Sequence, residues 1–441
     1  MLHDNVSTNR RLLQVVTAVT YCLLSVGICF GFAALKPILI DSGVYADECS
    51  RKDPAPCVAQ EVKLNLLFTF AAVSTNVSSF PIGILLDRYG PRVTSIIGAC
   101  LMMLGTIGIA ASSSSLDLYA VSYAVLACSG SFLLLSAFTL APAFPSSQGI
   151  IVSGLTGAFD ASSALFLIYR LVYQNFVKVS ISRFFAVYAV VPAAILLVQI
   201  LYMSKTAYEV LETKLLVEHS PHESQSLLHG EEDRQQDPLF GVMHNQPTWS
   251  IITSGWFLFP MSVMIVSLVR VNFYIATVGA QLHMLLPEAQ ADALATFFDI
   301  LLPLGGILAI PLIGYIIDHY TIVTVYSLTA GLASIVGVLS FIPFKAAQVL
   351  HILAFVVLRP WIYSILPGTV LKLFGNDRFG VLYGGIMATA GLVNLIAHPL
   401  ELWTYSRFGG NFRYADALLV SVSVGFLFGT VVYMQLKFRS V

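Results

Sequence analysis

Charged residues are scarce in this chain. Aspartate, glutamate, lysine and arginine together make up 11% of its 441 residues, whereas soluble globular proteins carry about 25%. Apolar residues make up 57%, and the few charges balance to a net of −1. This composition excludes an ordinary soluble domain and offers no basic surface for nucleic acid. It predicts an all-α polytopic membrane protein whose surroundings are the lipid bilayer.

Sequence motifs of enzymes are also missing. The chain has no Walker A loop, no HExxH pair and no GxSxG elbow. Its six cysteines and nine histidines are not spaced as metal ligands. We therefore expect no catalytic residues, no metal and no cofactor. The first apolar run is too long for a signal peptide and lacks a cleavage pattern, so it is predicted to be a retained span.

Runs of about 20 apolar residues, the length needed to cross a bilayer as a helix, recur along the chain. The alternating pattern of a membrane barrel strand is absent, so each run is predicted to be a transmembrane helix. Twelve such runs lie near residues 13–38, 63–86, 93–112, 117–140, 149–171, 182–203, 254–283, 291–317, 322–343, 347–369, 379–400 and 415–436.

One long polar segment divides the twelve spans into two sets of six. It contains HSPHESQSLLHGEEDRQQDP, and its composition predicts a disordered linker. The predicted organisation is an N-terminal tail (1–12), a six-helix half (13–203), the linker (204–249), a second six-helix half (250–436) and a C-terminal tail (437–441).

A short repeat supports this division. PIGILLDRY at Pro81–Tyr89 returns as PLIGYIIDHY at Pro311–Tyr320, so that Gly83 matches Gly314 and Asp87 matches Asp318, each 231 residues further on. Both copies end the second span of their half. Duplicated halves are an architecture of transporters, so the repeat predicts two pseudo-symmetric halves.

Lysine and arginine predict the orientation. If both tails and the linker are cytosolic, the inside segments hold eleven of these residues and the outside segments eight. The positive-inside rule favours this topology.

GILLDRYGPR, from Gly83 to Arg92, resembles the Gly-x-x-x-Asp-Arg-x-Gly-x-Arg signature of the major facilitator superfamily. A glycine lets a neighbouring helix approach closely, and an aspartate can lie against a helix N-terminus. The resemblance implies a cytosolic latch that holds one transport conformation. The fourth span has no arginine, unlike that of proton-coupled drug antiporters in the superfamily, which disfavours proton antiport. The latch residues are Gly83, Asp87, Arg88, Gly90 and Arg92, with Gly314 and Asp318 in the second half.

A narrower resemblance covers most of the chain. FGFAALKPILIDSGVYADEC (Phe30–Cys49), GAFDASSALFLIYRLVY (Gly157–Tyr173), LVRVNFYIATV (Leu268–Val278) and FGNDRFGVLYG (Phe374–Gly384) are similar to stretches of solute carrier family 43 and its fungal relatives. That family includes sodium-independent carriers of large neutral amino acids and a nucleobase carrier. The resemblance implies a facilitative carrier working by alternating access, with a neutral amino acid as the first substrate and a nucleobase as the second. A sensor that binds solute on a transporter fold without moving it is an alternative of another class.

Charges inside the spans are candidates for the solute site. Asp160, Arg270 and Arg359 lie near the middles of their spans, where a charge costs about 2.5 to 3.5 kcal/mol and needs a partner or a cavity. One interpretation is structural ion pairs, with Arg270 as the first candidate partner of Asp160 and Asp299–Arg270 as another pair. The other makes Arg270 or Arg359 the anchor of an anionic group on the substrate, because a guanidinium binds carboxylate bidentately.

The superfamily usually lines its cavity with the first, fourth, seventh and tenth helices. Polar neighbours of the mid-span charges could add neutral hydrogen bonds. The predicted substrate cavity therefore comprises Asp160, Ser162, Ser163, Arg270, Asn272, Tyr274, Arg359 and Tyr363.

Two further features lie outside the spans. Cys49 and Cys57 share the first outside loop and are a candidate disulfide if that side is oxidising. ESQSLL in the linker, with Glu223, Leu227 and Leu228, fits an acidic dileucine pattern read by sorting adaptors. It favours a vacuolar or other endomembrane location, ahead of the plasma membrane and the mitochondrion.

Overall fold

A computed structural model describes residues 7–49, 57–113, 116–144, 147–208, 239, 241–244, 246–375 and 377–438. Helices are the only regular structure in these ranges, as expected where lipid cannot satisfy the backbone. The helices of the first half are α1 (Thr8–Tyr21), α2 (Phe32–Asp41), α3 (Val58–Val77), α4 (Ser79–Ala111), α5 (Tyr119–Phe138), α6 (Gln148–Ser162), α7 (Ala164–Asn175), α8 (Ile181–Tyr188) and α9 (Val190–Tyr202). Those that follow are α10 (Thr248–Ile252), α11 (Gly255–Leu285), α12 (Glu288–His319), α13 (Ile322–Leu339), α14 (Lys345–Phe374), α15 (Phe379–Val393), α16 (Ala397–Phe408) and α17 (Arg413–Phe438).

The number of spans agrees with the prediction of twelve. Ten helical stretches of the described residues are long and apolar enough to cross a membrane, and α12, bent by 49° near its middle, makes eleven. One of the ten, Leu66–Ala111, has 46 residues and breaks at Gly90. Its length of about 70 Å at 1.5 Å per residue exceeds twice the bilayer core of about 30 Å. It therefore crosses twice.

The first span is a broken helix. After α1 the chain forms a π-helical turn over Cys22–Val26, leaves helical geometry at Gly27 and continues as a 3-10 turn over Ile28–Gly31 before α2. The fifth span has only a turn in the same region of the molecule, at Ser163 between α6 and α7, where the backbone keeps helical dihedral angles. The break at Gly27 frees backbone groups, and within a membrane such a break is tolerated only where protein or a cavity receives those groups.

Four pairs of helices make the main contacts between the halves among the described residues. From the second half, α12 packs against α6, α15 packs against both α3 and α4, and α14 packs against α6. We name the two ends of the bundle by what they carry: the linker side holds the ends of α1 and α9 next to Tyr208, and the disulfide side holds the loop with Cys49 and Cys57.

The described part of the linker is anchored on the linker side. Tyr208 donates a hydrogen bond of 2.6 Å to Gln14 of α1. At the other end of the linker, the backbone N–H of Gly241 bonds the carbonyl of Lys372 at 2.9 Å. The stretch 209–238, including the predicted sorting residues Glu223, Leu227 and Leu228, lies outside the described residues.

Candidate functional site

The first contact across the halves is made by Asp87. Its carboxylate accepts hydrogen bonds of 2.8 Å from the backbone N–H groups of Gly380 and Val381. These residues are the second and third of α15, which has no side-chain cap of its own. The first N–H groups of a helix lack partners within it, and the helix dipole favours an anion there. Asp87 therefore caps a helix of the other half, as the sequence predicts for this position.

Asp318 makes the symmetric contact. It accepts hydrogen bonds of 2.5 Å from the N–H of Gly149 and 3.1 Å from the N–H of Ile150. These are again the second and third residues of a helix, α6, that lacks its own side-chain cap. The repeat spacing of 231 residues relates Asp87 to Asp318, and it also relates Gly149 and Ile150 to Gly380 and Val381. The linker side thus has two equivalent contacts between the halves at the two predicted latches, and the motif with its repeat predicted only their aspartates.

Glycines make the first latch possible. A Cβ atom built on Gly83 would collide with the backbone at Gly380, so only glycine permits this approach of the two halves. Gly90 ends the second span with φ 81°, a conformation that favours glycine, and its Cα faces the carbonyl of Lys205.

The other predicted latch residues lie beside these contacts. Gly314 packs closely against Ile150 of α6. Arg88 is exposed, with its guanidinium 5.4 Å from the ring of Tyr89. The carbonyl of Arg92 accepts a hydrogen bond from the Ser95 hydroxyl within α4.

A buried ion pair joins the halves near the middle of the molecule. Nη1 of Arg359, on α14, lies 2.9 Å from Oδ1 of Asp160, on α6. Only 1% of the Asp160 side chain and 10% of the Arg359 side chain are exposed. The sequence prediction that Asp160 meets an arginine of the other half is confirmed, but its first candidate, Arg270, is wrong.

The ion pair leaves hydrogen-bonding capacity unused. Oδ1 of Asp160 faces Nη1 of Arg359, but Oδ2 of Asp160 and Nε of Arg359 are buried and have no hydrogen-bond partner in the described part of the chain. A buried polar group without a partner is costly. The pair can therefore accept a ligand that supplies both a donor and an acceptor.

The break in the first span lies next to the part of the fifth span that carries Asp160. The Ser162 hydroxyl accepts a bond of 2.8 Å from the N–H of Gly27, which the break in the first span sets free. Ser162 and Ser163 also donate to the carbonyls of Phe159 and Asp160, each at 2.7 Å. Ser162 thus joins the break in the first span to the fifth span, whereas the Ser163 hydroxyl bonds within its own span.

Aromatic rings surround the pair. The ring centroids of Phe159 and Tyr363 are 6.5 Å apart, and those of Phe30 and Phe159 are 5.4 Å apart. The guanidinium of Arg359 lies 5.9 Å from the Tyr363 ring. Phe30 and Phe159 carry no polar group and were missed by a search for polar mid-span residues.

Three predicted site residues on α11 do not join this cluster. Nη1 of Arg270 donates to the carbonyl of Ala333 and to the hydroxyl of Ser423, both at 3.1 Å and both in the second half. Tyr274 packs on Phe298, His351 and Phe355 of the same half.

Asn272, two residues after Arg270, is half-buried. The predicted pair of Asp299 with Arg270 is not formed. Asp299 interacts electrostatically with Arg170 and not with Arg270. A helix places successive residues on different faces, and here the face with Arg270 and Tyr274 points into the second half.

The predicted disulfide is present on the disulfide side. Cys49 and Cys57 form a disulfide. The loop is further held by Gln60, whose amide donates 2.8 Å to the carbonyl of Val44, and by the ion pair of Lys63 with Glu48. Hydrogen bonding to Glu48 raises the pKa of Lys63, so the Lys63 ammonium group stays protonated at neutral pH.

Comparisons with known proteins agree with this architecture. The sequence matches the family described as the Major Facilitator Superfamily over residues 21–398. Protein FMP42 of Saccharomyces cerevisiae is 36% identical, across 96% of this chain and 95% of that protein. Equilibrative nucleobase transporter 1 of Bos taurus is 24% identical across 94% of each chain. Amino acid transporter 6-1 of Toxoplasma gondii is 24% identical across 86% of this chain and 69% of its own length.

A solved structure shares the fold. The major facilitator proton:xylose symporter XylE, bound to 6-bromo-6-deoxy-D-glucose, superposes with a TM-score of 0.63 over 98% of this chain and 96% of its own. Its sequence identity is 14%, so this likeness concerns the fold alone.

Proposed function

This chain belongs to the major facilitator superfamily of membrane transporters, and we propose that its solute is a neutral amino acid bound at the Asp160–Arg359 pair. The main support is the buried ion pair between the halves, in which Nη1 of Arg359 lies 2.9 Å from Oδ1 of Asp160. Oδ2 of Asp160 and Nε of Arg359 have no partner among the described residues. An amino acid zwitterion has a carboxylate for Arg359 and an ammonium group for Asp160. It would satisfy both charges at once, which few other small solutes can do.

The surroundings favour an apolar side chain on the substrate. Phe30, Phe159 and Tyr363 lie next to the pair, and solute sites combine such apolar walls with a few polar groups that fix orientation. The relative named amino acid transporter 6-1 supports the same substrate class.

In this proposal, the solute competes with the ion pair for the charged groups of Asp160 and Arg359. With the site empty, Asp160 and Arg359 hold the halves together at the centre. A zwitterion that binds both charges replaces this contact, and the halves can then rock about the solute while the latches open or close the linker side. We propose facilitative transport, since the fourth span (α5) has no charged residue and no further solute is needed by this scheme.

A nucleobase is the second candidate. The observation that favours it is the relative named equilibrative nucleobase transporter 1, aligned over 94% of this chain. A base could stack on the same aromatic rings and hydrogen-bond the carboxylate.

Counterflow into proteoliposomes decides among the functions. Vesicles with purified protein and loaded with L-leucine should accumulate labelled L-leucine, whereas vesicles loaded with adenine should not accumulate labelled adenine. The reverse result would select the nucleobase. Saturable binding of L-leucine without flux would indicate a sensor.

Orientation and location complete the proposal. We place the tails (1–12 and 437–441) and the linker (204–249) in the cytosol, with the disulfide side facing the opposite compartment. A disulfide persists in an oxidising compartment, which supports this orientation. We propose a vacuolar or related endomembrane location, reached through adaptors that bind Glu223, Leu227 and Leu228.

A further inference from the structure

Arg270 is a half-buried cation away from the halves' interface. It projects from α11 into the interior of the second half, toward α13 and α17. Its hydrogen bonds go to a carbonyl and a hydroxyl, and it forms no ion pair with any residue that the structure describes. Arginine keeps its charge in proteins, and a buried charge is normally paired.

The nearby ionisable groups that the structure describes form no direct ion pair with it. Asp416, on α17, acts on Arg270 only through longer-range electrostatics. Its carboxylate is engaged by the Gln281 amide at 3.2 Å, and it stands seven residues before Ser423, roughly 10 Å along the helix. His351 also faces this region, but a histidine supplies no negative charge.

A small cavity lies against the guanidinium. Its space suits about one particle the size of a water molecule. An amino acid or a nucleobase is much larger than this. Ser423 donates its own proton to the carbonyl of Val420 and accepts from Arg270, so it orients the arginine. Ser267 also lines the space and can donate from its hydroxyl. The full lining is Ser267, Arg270, Val271, Ala333, Phe355, Leu358, Ile362, Ser423 and Leu427.

We propose that Arg270 and Ser267 bind a small monovalent anion, with chloride as the probe, inside the second half. The anion would neutralise the half-buried guanidinium and lock α11, α13 and α17 together. A polyatomic anion such as sulfate is too large for the space. The site differs from the Asp160–Arg359 pair and does not depend on which solute the protein carries.

Thermal unfolding of the purified protein without substrate tests this. Gluconate, which is too large for the cavity, is replaced stepwise by chloride at constant ionic strength. We expect a saturable rise in Tm, reproduced by bromide but not by sulfate. Arg270→Gln should weaken apparent chloride affinity about tenfold or more, because a charge-assisted contact is lost. The exposed Arg183→Gln is the matched control and should keep the wild-type response.

A second variant and a competition experiment make the test decisive. If Arg270→Gln does not fold, Ser267→Ala should still raise the apparent Kd for chloride, while Ser262→Ala on the same helix should not. Saturating L-leucine should leave the chloride response unchanged. The same Tm for wild type in chloride and gluconate would mean that the cavity holds only water and would overturn the proposal. So would an unaltered response in Arg270→Gln, or competition by L-leucine, which would assign Arg270 to the solute.

Discussion

Among the described residues, Asp160 and Arg359 form an ion pair between the halves that is almost completely buried. Removing one member of a buried pair leaves the other uncompensated and costs about 3 to 5 kcal/mol. We therefore expect Asp160→Asn and Arg359→Gln each to reduce solute affinity and flux by at least about tenfold, since contacts to the substrate charges are lost as well. Binding and flux at matched expression measure this, with Asp292→Asn and Arg183→Gln as exposed controls.

The double variant separates a structural pair from a solute site. If the pair only fastens the halves, removing both charges should restore function relative to the single variants, with a coupling energy of about 1 kcal/mol or more. If both residues bind solute, the double variant stays inactive although its Tm recovers. Wild-type flux in Asp160→Asn would contradict both roles.

The sequence could predict which residues carry buried charges, but not which residues they pair with. Asp160, Arg270 and Arg359 are alike in the sequence, each a single charge within an apolar run, and the cost of burial predicts that each needs a partner. The choice of partner depends on helix rotation and on contacts between distant spans. Arg270 points into its own half and Arg359 toward the other, and no single-span pattern encodes that difference.

Among the elements, α6 and α15 share the unusual property of being capped by the other half. The repeat made the aspartates predictable, and its spacing could also have located the receiving N–H groups. The break in the first span was harder to predict from the sequence, because Gly27 and Gly31 fit ordinary helix packing equally well. The break depends on a tertiary partner, the Ser162 hydroxyl.

The two latches should contribute equally to closing the linker side. Asp87→Ala removes two bonds to helix N–H groups, and loss of such a cap costs about 0.5 to 2 kcal/mol. We expect Asp87→Ala and Asp318→Ala each to shift the equilibrium toward an open linker side by about that amount, and the double variant to do so further.

Electron spin–spin distances between labels at Tyr89 and Asp377, both exposed and on opposite halves beside the first latch, report the opening. The population at short distance should fall in each variant and stay constant in Asp292→Ala. An unchanged distance distribution in Asp87→Ala would show that the cap does not control closure.

The whole molecule has two halves joined by a linker of which both ends are anchored. Length and hydropathy were sufficient to predict twelve spans, and the repeat to predict their division, because lipid limits a chain of this composition to helices. Substrate and location are less constrained by the fold, which serves many solutes.

The proposed sorting signal acts on the molecule as a whole and can be tested apart from transport. In cells expressing a tagged protein, Leu227→Ala combined with Leu228→Ala should redistribute it from the vacuolar or other endomembrane to the plasma membrane. The change lies far from the solute site in the sequence, so counterflow by the purified variant should equal that of wild type. An unchanged distribution would remove the dileucine pattern as an address.

Equilibrium binding of three matched ligands to the purified protein tests the central claim that a zwitterion bridges Asp160 and Arg359. L-leucine has both charged groups, isopentylamine lacks the carboxylate, and 4-methylpentanoate lacks the amine. We predict that L-leucine binds saturably and that each truncated ligand binds at least about tenfold more weakly, since each leaves one buried charge unpaired. Arg359→Gln should abolish the advantage of L-leucine over isopentylamine. Equal binding of all three ligands, or binding of adenine but not L-leucine, would contradict the claim.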